Sequence, residues 1–494
     1  MFSGSSPVRT KRSPGSAPTT PISKCFAVRK RSHRDEHGIL PAKTMKMKGI
    51  DTDLQTSPSL SASPLDRVPL PFRKQTISLG LGSFNVFSNC LLITFIETVD
   101  VPALIVLCQT SREWQKRITK FVLTKNGQNL MVQRCEQSPK GERYTNNDVF
   151  HLYGKLLKAL TMGQHNSKRI DFLFDVCKPL FDSPLASGLG RIIRTYCHGL
   201  PMLFTIRVLN ALMKRECRKL DGEITLILED GVGAHPQIEL KIRKTLHDLL
   251  VDAAYGTEEG RLEDAFWLSV LLRTRNAISD QAKLLMLLFA PITKVDTPFG
   301  MGSSEQIDWR SLCDHVVVSW EDGIDRIRPI ADALDTLTHA VKINHSLYHW
   351  NKLQIFNLIE ETTTFPEPWA FDNFVFLLMF KPTILAPISL SARMTYNFED
   401  EAGQIICTMK SLLFRWNMDM PIFLLPVLMA TVAELPLEPT DKKREFIAVI
   451  LKAQGKLAGE LLMSGIPGEH MDFVEELAAF KMMLNVLMPA VNGI

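Results

Sequence analysis

Two histidines at helical spacing, His345 and His349, are the best metal-binding candidates in this sequence. Residues four apart lie on one face of a helix, so one helix could present both imidazoles to a zinc ion. Position 346 is a serine, so the glutamate that acts as general base in the hydrolytic zinc motif is missing. The apolar neighbours Leu347 and Trp350 are typical of a packed helix. We therefore interpret the pair as ordinary helical histidines and predict no metal site.

Phosphate-binding and nucleophilic motifs are also missing from the sequence. Gly80-Leu81-Gly82 and Gly188-Leu189-Gly190 lack the third glycine and the preceding strand of a nucleotide-binding loop. No nucleophile elbow and no kinase catalytic loop is found. The sequence therefore predicts no catalytic residues, no cofactor and a protein that is not itself an enzyme.

The remaining side chains that could be reactive are adjacent glutamates and scattered cysteines. Glu360-Glu361 and Glu475-Glu476 are neighbours that point apart on a helix, so we predict solvated faces. The nine cysteines form no C-x-x-C pair and are odd in number, which is typical of a reduced intracellular protein. Cys90 and Cys108 lie among apolar residues, and we interpret them as inert, buried thiols.

The elements that carry these residues are predicted to be helices. From about residue 84 onward, apolar residues recur at spacings of three and four, and Pro and Gly fall between the stripes. Strand signals are limited to a weak alternation over 223–228 and the run 316–318. We predict an all-α protein of roughly 14 to 17 helices, arranged as an irregular stack of helix pairs without a fixed repeat. The last predicted helix has a core stripe of Phe473, Leu477, Phe480, Leu484 and Leu487.

Residues 1–75 differ from the rest of the 494-residue chain. They are rich in Ser, Pro, Lys and Arg and hold few large apolar groups, which predicts a disordered tail. The first 50 residues carry a charge of +9, which leaves −5 on the remainder of a chain whose net charge is +4. The basic pI is thus a property of the tail, and we do not expect specific nucleic-acid binding.

The tail holds two kinds of candidate regulatory site. A basic cluster is a candidate nuclear-import signal, although a solvated tail would look the same; it comprises Arg29, Lys30, Arg31 and Arg34. Five Ser/Thr-Pro steps are candidate phosphorylation sites, with plain linker composition as the alternative; the phosphorylatable residues are Ser6, Ser13, Thr20, Ser57 and Ser63. We predict a nuclear protein, and the sequence also allows a location in the cytoplasm.

Neither a secretory signal nor a membrane span is expected. The first 30 residues have no apolar h-region. The most apolar stretch, 421–433, has 13 residues and two prolines, whereas a span needs about 20 residues. We therefore expect no membrane partner.

Residues 84–123 are unusually apolar and predict three short helices. Asp100 can cap the second of them, with Pro102 tolerated in its first turn. Thr110 and Glu113 have the spacing of a capping box that opens the third helix, which carries Trp114. About forty residues cannot bury this much apolar surface alone, so part of it must pack on a partner or on the following domain.

This segment resembles an F-box in its order of an apolar helix, an acidic turn, a second apolar helix and a capped helix with a Trp. Phe87-Ser88 stands where the usual Leu-Pro opener would be. The resemblance predicts a domain at 84–125 and a helical substrate-binding body at 145–490. The residues expected at the adaptor interface are Phe87, Leu91, Leu92, Phe95, Val101, Pro102, Leu104 and Ile105.

The following residues resemble the F-box only protein 47 family, in order, from about residue 84 to 465. The residues that carry the resemblance are 264–268 (DAFWL), 281–285 (QAKLL), 289–292 (FAPI), 365–369 (FPEPW) and 418–451. The divergence suggests a distant, invertebrate member.

The family resemblance implies the substrate receptor of a Skp–cullin–F-box ubiquitin ligase. The F-box would bind a Skp-type adaptor and through it a cullin, and the helical body would hold a protein substrate. Family members are associated with meiotic prophase in the germline, including homologue pairing and synapsis. The alternative is a non-catalytic helical scaffold whose F-box-like segment no longer binds the adaptor, which the missing Leu-Pro opener favours.

Overall fold

The computed structural model describes residues 80–137, 148–181, 186–216, 218–251, 258–296, 303–343, 348–435, 441–463 and 469–492. Within these ranges the chain forms 22 α-helices and a single two-stranded sheet, which confirms the all-α fold class. The helices outnumber the expected 14 to 17 because short ones, such as the four-residue helix Ser311–Asp314, show no hydrophobic period. The tail with its import and phosphorylation candidates lies outside the described residues, as does His345.

The N-terminal part of the described chain begins with a 3-10 turn, Gly82–Val86, and continues through eight helices. The helices are α1 (Asn89–Thr98), α2 (Val101–Thr110), α3 (Arg112–Val122), α4 (Lys125–Glu136), α5 (Val149–Leu160), α6 (Asn166–Phe181), α7 (Ala186–Cys197) and α8 (Met202–Ala211).

The remainder of the chain holds fourteen further helices and the hairpin. They are α9 (Arg218–Glu229), α10 (Pro236–Leu246), α11 (Glu258–Leu272), α12 (Ile278–Phe289), β1 (Ile292–Asp296), β2 (Ser303–Ile307), α13 (Ser311–Asp314), α14 (Trp320–Arg326), α15 (Arg328–Thr338), α16 (Lys352–Thr363), α17 (Phe371–Met379), α18 (Leu385–Thr395), α19 (Glu399–Arg415), α20 (Met420–Glu434), α21 (Asp441–Met463) and α22 (Glu469–Asn492).

Helices from α16 to α22 pack in a regular order, because each contacts the next but one. The pairs α16–α18, α17–α19, α18–α20, α19–α21 and α20–α22 all pack together. Alternate helices therefore form two stacked layers, as expected for a solenoid of helix pairs. The same spacing recurs at α5–α7, so the predicted stack of helix pairs is confirmed.

The starts of the first helices follow from side-chain caps, with one correction. Asp100 caps α2 as predicted, since its Oδ1 accepts from the amide of Ala103 at 3.0 Å. The predicted cap of α3, Thr110, is wrong, because its hydroxyl donates to the carbonyl of Leu107 within α2. Ser111 caps α3 instead and accepts from the amides of Glu113 and Trp114. A Ser one residue later provides the same chemistry, so the helix was predicted correctly and its cap was not.

The strand signals were misplaced. Residues 223–228 lie inside α9, because Ile224, Ile227 and Leu228 are buried at helical spacing. Residues 316–318 join no strand pair among the described residues. The strands β1 and β2 pair antiparallel, with Ile292 opposite Ile307. The second strand reads SSEQI, in which Ile307 is the one residue of the β-branched and aromatic types that mark strands in a sequence.

The predicted stripe of the last helix is confirmed in part. Leu487 is buried and Phe473 and Phe480 are half-buried, whereas Leu477 and Leu484 are exposed. Glu476 and Met483 are buried in their place. Glu476 was expected on a solvated face, and this expectation was wrong because the carboxylate forms an ion pair with the buried Lys410 of α19. A charge in the interior needs a partner, and the partner here comes from a distant part of the chain.

Candidate functional site

The three helices α1, α2 and α3 form a unit around an aromatic cluster, which we call the three-helix unit. The rings of Phe84 and Phe95 lie 5.1 Å apart, centroid to centroid, and both contact Trp114, at 5.3 and 5.6 Å. Trp114 is buried, whereas Phe84 and Phe95 are half-buried. The Trp that follows the Ser cap is therefore the centre of the local core.

The eight predicted interface residues fall into three groups. Leu92, Val101 and Leu104 are buried in the core, so they cannot contact an adaptor in this arrangement. Phe95 and Ile105 are half-buried. The exposed members are Phe87, Leu91 and Pro102. Periodicity marks apolar residues but does not separate those that face the core from those that face a partner, which is why the prediction mixed the groups.

Two further apolar residues are exposed on the same helices and were missed. Val106 lies one turn after Pro102 on α2 and is 57% exposed, as is Leu91 on α1. Ile93 on α1 is also exposed. The spacing of Pro102 and Val106 was a signal available in the sequence. We call Phe87, Leu91, Pro102 and Val106 the apolar stripe, because these four apolar side chains are exposed, as apolar side chains at protein interfaces often are.

Hydrogen bonds and helix packing join the three-helix unit to the helices that follow it. Gln115 of α3 donates from Nε2 to the carbonyls of Ala159 and Leu160 at the end of α5, at 2.9 and 3.1 Å. Arg134 of α4 donates to the carbonyls of Glu97 and Val99, at 2.7 and 3.0 Å. Helix α2 packs directly on α5. The buried face of the unit is therefore covered by the chain itself, whereas no described residue covers the apolar stripe.

A cavity of about 380 Å³ lies in the body between α7, α11 and α15. Arg194, Asp264 and Trp267 line it, and Arg194 Nη1 donates to Asp264 Oδ1 at 2.5 Å. The Arg194 guanidinium lies over the Trp267 ring at 5.4 Å, so its charge is held by a carboxylate and an aromatic face. These contacts stabilise the packing of α7 on α11.

Cys90 and Cys108 were both predicted to be buried, and the prediction is confirmed for Cys108 only. Cys108 is buried in α2, and burial raises its pKa to about 12, which keeps the thiol protonated and inert. Cys90 is exposed at the start of α1, which contradicts its predicted burial. Among the described residues, no group of three His, Cys, Asp or Glu side chains could hold a metal ion.

An all-α stack of helix pairs defines the class of helical repeat proteins. The family model described as FBXO47, ARM repeats matches residues 217–492, which is more than half of the chain. The chain therefore belongs to the FBXO47 family of F-box proteins. F-box proteins are in general substrate adaptors rather than enzymes.

The match covers α9 to α22 and does not include the three-helix unit. No curated protein and no solved structure matches the chain. None of the helices in the described ranges is both long and apolar enough to cross a membrane.

Proposed function

We propose that this protein is the non-catalytic substrate-recognition subunit of a Skp–cullin–F-box ubiquitin ligase. In this role the three-helix unit binds a Skp-type adaptor, which links it to a cullin. The helical body then holds a protein substrate. The observation that carries the proposal is the apolar stripe: a member of an F-box family exposes hydrophobic side chains on the helices that resemble an F-box.

The physical role of such a subunit is to bring two proteins together. Holding a substrate lysine near a charged ubiquitin-conjugating enzyme raises its effective concentration, so no reactive group is required on the receptor. The long helical stack supports this role, since stacked helix pairs offer an extended surface for a protein ligand.

The proposed setting is meiotic prophase in the nucleus of germline cells, with homologue pairing and synapsis promoted by ubiquitination of a regulatory protein. Family resemblance supports the setting, and the basic cluster Arg29–Arg34 supports the nuclear location. The test is to replace the four basic residues by Ala in a fluorescent fusion of the protein. We expect the fusion to be lost from the nucleus.

The alternative function is a helical scaffold that does not bind an adaptor. The observation in its favour is the Phe87-Ser88 step, where Ser88 caps α1 through the amide of Leu91 and the usual Leu-Pro is missing. Both functions leave the fold unchanged, so only adaptor binding separates them.

The deciding experiment is capture of a purified Skp-type adaptor by the full chain and by the double variant Leu91→Glu, Val106→Glu. Both positions are 57% exposed, so the charges should leave the fold intact and should abolish capture, because interface centres tolerate no unpaired charge. Leu203→Glu on α8 is the matched control, since Leu203 is also 57% exposed but lies outside the unit. No capture by the wild type would favour the scaffold, whereas equal capture by all three proteins would show that the adaptor binds outside the apolar stripe.

A further inference from the structure

We propose that a groove between α1 and α3, separate from the apolar stripe, binds an acidic peptide segment through one or two apolar side chains. We call it the basic groove. Its floor is formed by Leu92, Ile93, Ile96 and Phe121, and its rim by Lys116, Arg117 and Lys120. This inference goes beyond the ligase role, because it concerns a second partner surface that does not depend on capture of an adaptor.

The groove has the dimensions of a peptide site. Its volume is about 520 Å³, which falls in the range of pockets that enclose a small ligand or a few side chains. Ile93 is exposed although it is a large apolar residue, and it lies beside the buried Leu92 and Ile96. The floor therefore offers hydrophobic surface that water now covers, and an apolar side chain that displaced this water would be stabilised.

The rim carries an excess of positive charge. Arg117 donates from Nη1 to Asn89 Oδ1 at 2.8 Å, which fixes its guanidinium across the mouth between α1 and α3. Glu113 is the one acid among the lining residues, and it lies 3.9 Å from Lys116 Nζ and 3.5 Å from Arg117 Nε. With three cations and one carboxylate, the rim has a net positive charge next to an apolar floor. This charge is local, since the chain beyond residue 50 has a net charge of −5.

This combination favours a peptide over a nucleic acid. Carboxylates of a peptide can pair with the rim while its apolar side chains occupy the floor, which satisfies both halves of the groove. Single-stranded nucleic acids need aromatic platforms on which bases stack. Among the described residues that line the groove, Phe121 has the one aromatic ring, and it is buried.

The experiment measures binding of a fluorescein-labelled peptide of five glutamates and two leucines to the full chain by anisotropy. Two further probes replace all glutamates by glutamine, or both leucines by alanine. The groove variant is Lys116→Glu with Lys120→Glu, both of which are exposed. The control variant is Lys155→Glu with Lys168→Glu, which makes the same change in net charge on the exposed surfaces of α5 and α6.

We expect the groove variant to weaken binding of the acidic peptide by about tenfold, since several exposed charge pairs are reversed at once. The control variant should stay within about twofold of the wild type, and added salt should weaken wild-type binding by screening. Both substituted peptides should bind more weakly than the parent. Equal losses in the two variants, no measurable binding to the wild type, or preferential binding of a labelled oligothymidine would each overturn the proposal.

Discussion

Lys410 of α19 lies where three helices of the C-terminal stack meet. Its ammonium forms an ion pair with Glu476 of α22 and donates to Gln454 of α21 at 2.6 Å. Ser411 and Gln454 donate to the same carboxylate, at 3.2 and 2.7 Å. The Lys410 and Glu476 side chains are 0% and 1% exposed, and burial lowers the pKa of Lys410 to about 8. Each charge is therefore stable in the interior only because the other is present.

Removing one partner of this pair should destabilise the fold far more than removing both. We expect Lys410→Met to lower the free energy of unfolding by about 3–5 kcal/mol, because it leaves the Glu476 carboxylate buried and unpaired. The double variant Lys410→Met, Glu476→Leu should recover most of that loss. Urea denaturation of the two variants measures the difference.

The matched control for this pair is exposed. Lys452 lies 3.1 Å from Asp400, with side chains 73% and 57% exposed, and Lys452→Met should cost less than about 1 kcal/mol. If Lys410→Met lowered the free energy of unfolding by no more than Lys452→Met does, the buried ion pair would not stabilise the fold in the way that its geometry indicates.

At the scale of single elements, the sequence predicted where helices lie better than which way they face. The period of apolar residues identifies α6, for example, in which Ile170, Leu173, Phe174 and Cys177 recur at helical spacing and are all buried. In α22 the predicted stripe has a helical period too, and its last member Leu487 is buried, yet Glu476 and Met483 take the inward positions of Leu477 and Leu484. Glu476 is buried because it pairs with Lys410, which lies 66 residues earlier in the chain. No local sequence pattern predicts a partner at that distance.

The candidate site shows the same division between local and distant information. Asp100 was identified as a cap because the cap and the capped amide are three residues apart. The burial of Val101 and Leu104 depends on the packing of α2 on α5, which follows much later in the chain. The chemistry of a short segment could thus be predicted, but its exposed face required the fold.

The orientation of α22 leads to a prediction about its two faces. Leu477→Gln with Leu484→Gln should change the free energy of unfolding by no more than about 1 kcal/mol, because both side chains already face water. Met483→Gln should cost more than about 2 kcal/mol, because it places an amide among apolar groups without a partner. Thermal unfolding of the two variants tests this, and the opposite ranking would mean that the helix is rotated towards its sequence-predicted stripe.

At the scale of the whole molecule, the three-helix unit and the helical stack share one core. One hydrophobic cluster contains buried residues from Leu81 to Leu487, beside a small second cluster of Cys407, Leu457 and Leu461. The division into a domain at 84–125 and a body at 145–490 therefore remains a prediction about evolution and function, whereas the packing joins the two regions. A module fastened in this way would hold an adaptor at a fixed position relative to whatever the stack binds, which is what transfer by proximity requires.

The shared core makes the folding of the unit depend on the body. A fragment of residues 80–137 keeps α1 to α4 but loses α5, on which α2 packs, and loses the carbonyls of Ala159 and Leu160 that accept from Gln115. The helices of the fragment have only 10 to 12 residues, and isolated helices shorter than about 12–15 residues are marginal in water. We therefore expect partial helicity and no cooperative thermal transition by circular dichroism, whereas the chain from residue 80 to 492 should unfold with a sharp transition. A cooperative transition in the fragment would show that the unit is an autonomous domain, in which case adaptor and substrate surfaces would be joined by a hinge rather than held by a common core.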